Sequence, residues 1–228
     1  MRQGRASGAP QPTPGASAVT HVFWDVDTQV DFIEPDGKLY VQGAETIRAN
    51  LARLTTFARE QGIRIVGSSD CHVPEDEELS GDPPDFQNTF PPHCMRGSAG
   101  QARIFETTLH DALIVEPDAD PADVLARIWN HGGDILFHKR FFDVFTNPSV
   151  TPVIEALQVT EVTLYGVALD VCNRYAVEGL LQRHPSIAVR VVADAVRAIN
   201  EGHREALFDD WRAKGVTTVA TEDAIRRT

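Results

Sequence analysis

Apolar and polar positions fall into two rhythms along the chain. Short, β-branched apolar runs occupy 21–26, 63–68, 112–115, 134–138, 161–167 and 187–193, and between them 44–61, 121–131, 149–157, 171–184 and 201–213 carry apolar residues at helical spacing. Runs this continuous read as strands buried on both faces, and the helical stretches as amphipathic covers for those faces. A further short strand at 216–220 precedes a terminal helix. Strands alternating with helices over short connections predict βαβ units. The fold class is therefore α/β, a three-layer α/β/α sandwich around a central, mainly parallel six-stranded sheet.

Two stretches break the rhythm. Residues 1–19 are rich in Gly, Ala, Pro, Gln and Ser, with no apolar segment resembling a secretory signal. They have little to bury and are expected to form a disordered tail, leaving 20–228 as one domain. The second is 69–111, acidic and proline-rich, holding Asp70, His72, His93 and two of the three cysteines. A connection this long in a compact domain is usually functional.

Composition narrows the partners. A chain of 228 residues with 42% hydrophobic content can build one substantial core. A net charge of -12 leaves no basic footprint for nucleic acid or an anionic membrane. Small molecules and further copies of the chain remain. No run approaches the roughly 18 apolar residues of a membrane span, and three cysteines cannot all pair, which fits a reducing cytoplasm.

In an open parallel sheet, ligands bind beyond the carboxyl ends of the strands. Asp27 follows the first strand, Asp70 and His72 the second, His138 and Lys139 the apolar Ile135-Leu136-Phe137, and Cys172 the run at 161–167. Together they offer a base, a cation and a nucleophile. Cys172 opens a helix, where the dipole and free N–H groups favour a thiolate. Each also has a plain reading: Cys172 as a small core residue, Asp27 as a loop or cap carboxylate, Lys139 as a solvated lysine. Their joint placement at strand ends favours chemistry.

Asp70 and His72 are two residues apart, so an extended chain projects both to one side and Cys71 to the other. With His93, and a fourth group from Glu75, Asp76, Glu77 or Glu78, they make a mixed nitrogen and oxygen shell suited to zinc, iron or manganese. A structural zinc site from Cys71, His72, His93 and Cys94 lacks the usual spacer between paired ligands. His72 and His93 could also be ordinary loop residues. The Asp25-Val26-Asp27 string is similar to the opening of haloacid-dehalogenase-like phosphatases, but Gln29 and the lack of a clear downstream acidic pair speak against them. As a calcium loop it has Val30 where glycine is needed.

The segments Val26-Asp27-Thr28-Gln29-Val30-Asp31-Phe32, Asp70-Cys71-His72, Pro91-Pro92-His93-Cys94, Lys139 and Gly166-Val167-Ala168-Leu169-Asp170-Val171-Cys172 together resemble the isochorismatase-like cysteine hydrolases, and among these the nicotinamidases. The resemblance spans about 21–195. It implies the isochorismatase-like hydrolase fold and a catalytic triad of Asp27, Lys139 and Cys172. It also implies a cis peptide between Val167 and Ala168, and an oxyanion hole from the N–H groups of Ala168 and Cys172. The metal ligands it implies are Asp70, His72 and His93, with zinc favoured over iron or manganese. Glu78 is favoured as the fourth ligand, because no second histidine follows His72. Phe32, Phe90 and Val167 would border the substrate. The assembly implied is a homo-oligomer, a dimer or tetramer. Phe90 stands where tryptophan is usual and Leu169 where threonine is typical, which bears on substrate identity.

The activity implied is hydrolysis of nicotinamide or a similar carboxamide through a thioester on Cys172. Rival readings are a C–N hydrolase of aliphatic amides, carbamoyl or ureido compounds, an isochorismatase, and a non-catalytic binding protein on the same scaffold.

Overall fold

A computed structural model of the chain describes residues 20–79, 83–86 and 89–226. The expected tail at 1–19 lies outside the described residues.

Seven strands form one parallel sheet in the order β3-β4-β2-β1-β5-β6-β7. They are β1 (Thr20–Val26), β2 (Arg64–Asp70), β3 (Leu113–Val115), β4 (Ile135–Lys139), β5 (Val159–Val167), β6 (Ala188–Arg197) and β7 (Thr217–Val219). The expected six strands are all present. The correction is the seventh: the short run near 216–220 pairs with β6 through Arg190↔Thr217 to Val192↔Val219, so it closes one edge of the sheet. The helices are α1 (Val30–Ile33), α2 (Arg48–Gln61), α3 (Pro121–Ile128), α4 (Val150–Ala156), α5 (Cys172–Arg183), α6 (Arg204–Ala213) and α7 (Thr221–Ala224). No described helix is long and apolar enough to cross a membrane.

Period-two alternation distributes β1 between two cores. Val22, Trp24 and Val26 face one with Leu164, Val177 and Trp211; Phe23 faces the other with Leu51, Leu54, Ile65 and Tyr165. Both faces are dry, so truncating Trp24 or Leu164 costs about 2–5 kcal/mol. Helix starts follow local chemistry: α3 has Pro121 in its first turn, and the Asp120 side chain accepts from Ala122 N at 2.8 Å.

Strand order sets the site. β1 is central, and the chain runs to one side through β2 and to the other through β5, which makes the carboxyl end of β1 a topological switch point. Register then fixes neighbours: Val26 lies beside Ser68 and Gly166, and Asp70 beside Lys139. Gly166, with φ of 119°, lets β5 run against β1, since a Cβ there would meet Val26 O at 2.0 Å.

Candidate active site

Asp27 is the first residue past β1, and its φ of 50° turns the carboxyl into the switch point. Its N–H donates to Ser68 O at 3.1 Å, and Ser68 Oγ donates to Oδ1 at 2.8 Å. Oδ2 faces Lys139 Nζ at 3.0 Å. Lys139, the last residue of β4, is buried rather than solvated. Its ammonium also forms a close ion pair with Asp70 and lies 3.6 Å from Cys172 Sγ. Cys172 is the first residue of α5. One cation thus joins two carboxylates and a thiol, brought from four strand ends.

Burial sets the protonation states. It pushes the Cys172 thiol well up, against the opposing charge of Lys139. Burial also raises Asp27, against the opposing charge of Lys139. Asp70 is likewise buried, but Lys139 and the neighbouring His93 and His72 hold it below the usual carboxylate range. The two carboxylates on one ammonium therefore move apart: Asp27 is the weaker acid, suited to receiving a proton. Lys139 is driven up by both carboxylates despite burial and stays charged.

Asp70 uses its second oxygen elsewhere. Oδ2 lies 3.9 Å from His72 Nε2 and 3.7 Å from His93 Nε2. Both imidazole Nε2 atoms are buried without a hydrogen-bond partner, and the three residues offer ligand atoms within 4.8 Å of one another. Orphaned buried nitrogens converging on a carboxylate oxygen fit a divalent metal. The outer ring nitrogens are already held, His72 Nδ1 by Asp76 at 3.0 Å and His93 Nδ1 by Pro91 O at 2.8 Å, which presents Nε2 inward. Of the acidic candidates for a fourth ligand, Glu75 and Glu77 are exposed and Asp76 serves His72. Glu78 is buried on the site wall, its carboxyl raised to about 7 by burial and then by Asp70, though it stands outside the tight three-residue cluster.

A cleft of about 520 Å³ opens onto these groups, lined by Phe32, Asp70, Glu78, Phe90, His93, Val167, Ala168 and Cys172, with Tyr40, Phe86 and Phe142 farther out. The rings of Phe32 and Phe90 lie 5.5 and 6.5 Å from that of His93. The Val167–Ala168 peptide is cis. Around the two expected oxyanion donors several amides are engaged: Leu169 N with Arg197 O at 2.7 Å, and Val171 N and Asn173 N with Ala168 O, both at 3.1 Å. A cleft of about 540 Å³ at the opposite sheet end has its ionic groups tied up, Asp134 by Ile65 N and His110 N and Arg64 by His131 O.

Some expected neighbours do not join. His138 turns to Glu116, with Nδ1 3.2 Å from Oε1, instead of to Lys139's partners. Cys71 points away as alternation requires and groups with Glu116 and His138, while Cys94 Sγ lies 3.9 Å from Gly100 O, so the four-ligand cysteine and histidine cluster does not form. Other groups, given no role in the sequence, hold the site in place. Gln29 holds Asp70, donating from Nε2 to its carbonyl at 2.8 Å and accepting its N–H on Oε1 at 2.7 Å. Beneath Asp27, Arg103 meets the buried Asp25 at 2.5 Å and Thr28 Oγ1 at 2.7 Å. Asp31 accepts Cys94 N at 2.7 Å and Lys38 N at 3.0 Å, which anchors the loop carrying His93.

A buried aspartate, lysine and cysteine thus meet at the switch point of a parallel sheet. The chain belongs to the isochorismatase family, whose domain model matches residues 22–223. It is 26% identical over 199 residues to the nicotinamidase/pyrazinamidase of Mycobacterium tuberculosis, covering 86% of this chain and 96% of that protein. Among solved structures, the pyrazinamidase of Pyrococcus horikoshii in complex with zinc superposes with a TM-score of 0.68 at 19% identity, over 88% of this chain and 99% of that one. N-carbamoylsarcosine amidase from Thermoplasma acidophilum gives 0.67 at 22% identity, over 90% and 98%. These likenesses carry the fold.

Proposed function

We propose that the protein is a metal-dependent cysteine amidohydrolase of the nicotinamidase kind, converting nicotinamide or a similar pyridine carboxamide to its acid and ammonia. The observation that carries this reading is Lys139 Nζ, seated against Asp27, Asp70 and Cys172 beside the Asp70, His72 and His93 cluster.

Asp27 takes the thiol proton, and Lys139 neutralises the anions that result. The Cys172 sulfur attacks the carboxamide carbon, and the oxyanion is received by the N–H groups of Ala168 and Cys172, each worth about 3 kcal/mol in such settings. Asp27 passes its proton to the departing ammonia, leaving a thioester. A water deprotonated by Asp27 then releases the acid. Asp70, His72, His93 and Glu78 would hold a zinc ion, or iron or manganese, which supplies a Lewis-acid anchor for a pyridine nitrogen. Phe32 and Phe90 flank the ring, with Val167 behind it, so that the amide meets the sulfur in a near-attack geometry.

The fold alone does not separate this from action on a carbamoyl compound, since both kinds of solved structure superpose equally well. The two orphaned histidine nitrogens favour a ring-nitrogen substrate. Ammonia release from nicotinamide by the zinc-loaded protein, lost in Cys172→Ala, is the expected result. Release undiminished in Cys172→Ala would falsify the mechanism, and turnover of carbamoyl compounds alone would move the substrate class. A cytoplasmic enzyme acting as a dimer or tetramer fits this reading, and sedimentation measures the assembly.

A further inference from the structure

Cys71 sits between two residues of the catalytic metal cluster, yet its side chain leaves the opposite side of the chain. There it meets a half-buried carboxylate from beyond β3 and an imidazole from β4: Cys71, Glu116 and His138 offer ligand atoms within 4.8 Å of one another. None of the three has a part in the proposed chemistry. The geometry points to a second, structural metal site on the back of β2, built from one thiolate, one carboxylate and one imidazole, and suited to zinc.

Three observations support it. First, the donor set is mixed sulfur, nitrogen and oxygen, which zinc accepts and which magnesium or calcium does not favour. Second, His138 Nδ1 lies 3.2 Å from Glu116 Oε1. Two ligands at zinc distances and a tetrahedral angle stand about 3.3 Å apart, so this pair already has the separation that a shared ion requires. Third, the carboxylate is oriented by its other oxygen, since Arg96 holds Glu116 Oε2 at 3.0 Å. That is the outer contact which fixes a ligating carboxylate.

The ligands come from the ends of β2 and β4 and the loop after β3. An ion there would clip three neighbouring strand ends together, immediately behind the segment that presents Asp70 and His72. It would act on stability and not on the reacting atoms.

The test is metal counting with a spectroscopic signature. The full-length protein is stripped with a chelator, reloaded with zinc or cobalt(II), desalted and analysed for metal, alongside Cys71→Ala, Glu116→Ala and His93→Ala. The expected result is two equivalents in the parent protein and one in each variant. Only the second site contains sulfur, so a near-ultraviolet thiolate-to-cobalt charge-transfer band is expected in the parent and in His93→Ala, and not in Cys71→Ala. Glu116 is partly exposed, and circular dichroism of Glu116→Ala controls for folding. One equivalent in the parent that disappears with His93→Ala, without a thiolate band, overturns the second site. One equivalent with the band, surviving His93→Ala and lost in Cys71→Ala, supports it and instead overturns the catalytic metal.

Discussion

Gln29 holds Asp70 by both ends of its amide, donating to the aspartate's carbonyl at 2.8 Å and accepting its N–H at 2.7 Å. The side chain thereby stands in for a neighbouring strand at the point where β2 runs out. Asp70 in turn divides its carboxylate between Lys139 and the two histidines. In Gln29→Ala a buried N–H and C=O lose their partners at about 1–3 kcal/mol each. The expected outcome is a lower melting temperature together with roughly 10–100-fold weaker zinc binding, read by calorimetry and chelator competition.

Asp25 and Arg103 form a buried pair at 2.5 Å beneath Asp27. Removing one member strands a charge, so Asp25→Ala should destabilise by about 3–5 kcal/mol in urea unfolding. The double variant Asp25→Leu with Arg103→Met should be less destabilised than either single change. A purely additive cycle would contradict the pairing.

The pH dependence follows from Asp27. In the proposed mechanism it must be ionised to accept the Cys172 proton, and burial raises its pKa. A raised carboxyl protonates sooner as pH falls, so the acidic limb of kcat/KM should lie above the ordinary aspartate value of about 3.9. Lys139 is the main opposing charge. Lys139→Met should shift whatever limb survives to still higher pH, and an unmoved limb would show that Asp27 is not the base.

Metal removal separates chemistry from folding. In the proposed mechanism the ion anchors the substrate while hydrogen-bonded strands hold the fold, so a chelated protein should keep its far-ultraviolet circular dichroism while losing nicotinamide hydrolysis, and zinc should restore it. Persistent hydrolysis after complete removal would count against ring anchoring.

Gly100 allows the loop to close on Asp31, because a Cβ there would lie 2.1 Å from Asp31 Oδ2. That oxygen accepts Cys94 N, one residue past His93. Gly100→Ala should therefore displace His93, lowering zinc affinity as well as stability, whereas Gly97→Ala, with open space around it, should suffer only from its φ of 76°.

The convergence of Asp27, Lys139 and Cys172 was legible because strand-end position can be read from apolar runs, and each follows one. Helix 44–61 was legible in extent, though its first turn, Ala44–Ile47, is a tighter 3₁₀ turn. β6 reaches Arg197, beyond the predicted 193, because a register shift in its pairing with β5 carries the ladder on to Val167↔Arg197. The supports were not legible. Ser68 reaches Asp27, and Arg103 reaches Asp25, only once the order of strands is known.

The central place of β1 has a consequence for synthesis. Its neighbour β2 follows within the first 70 residues, but the other edge of β1 waits for Val159 to be made. Until then a nascent chain carries an apolar strand with an open row of N–H and C=O groups, the kind of edge that recruits foreign strands. A ribosome that pauses before β5 would therefore leave this protein in its most aggregation-prone form.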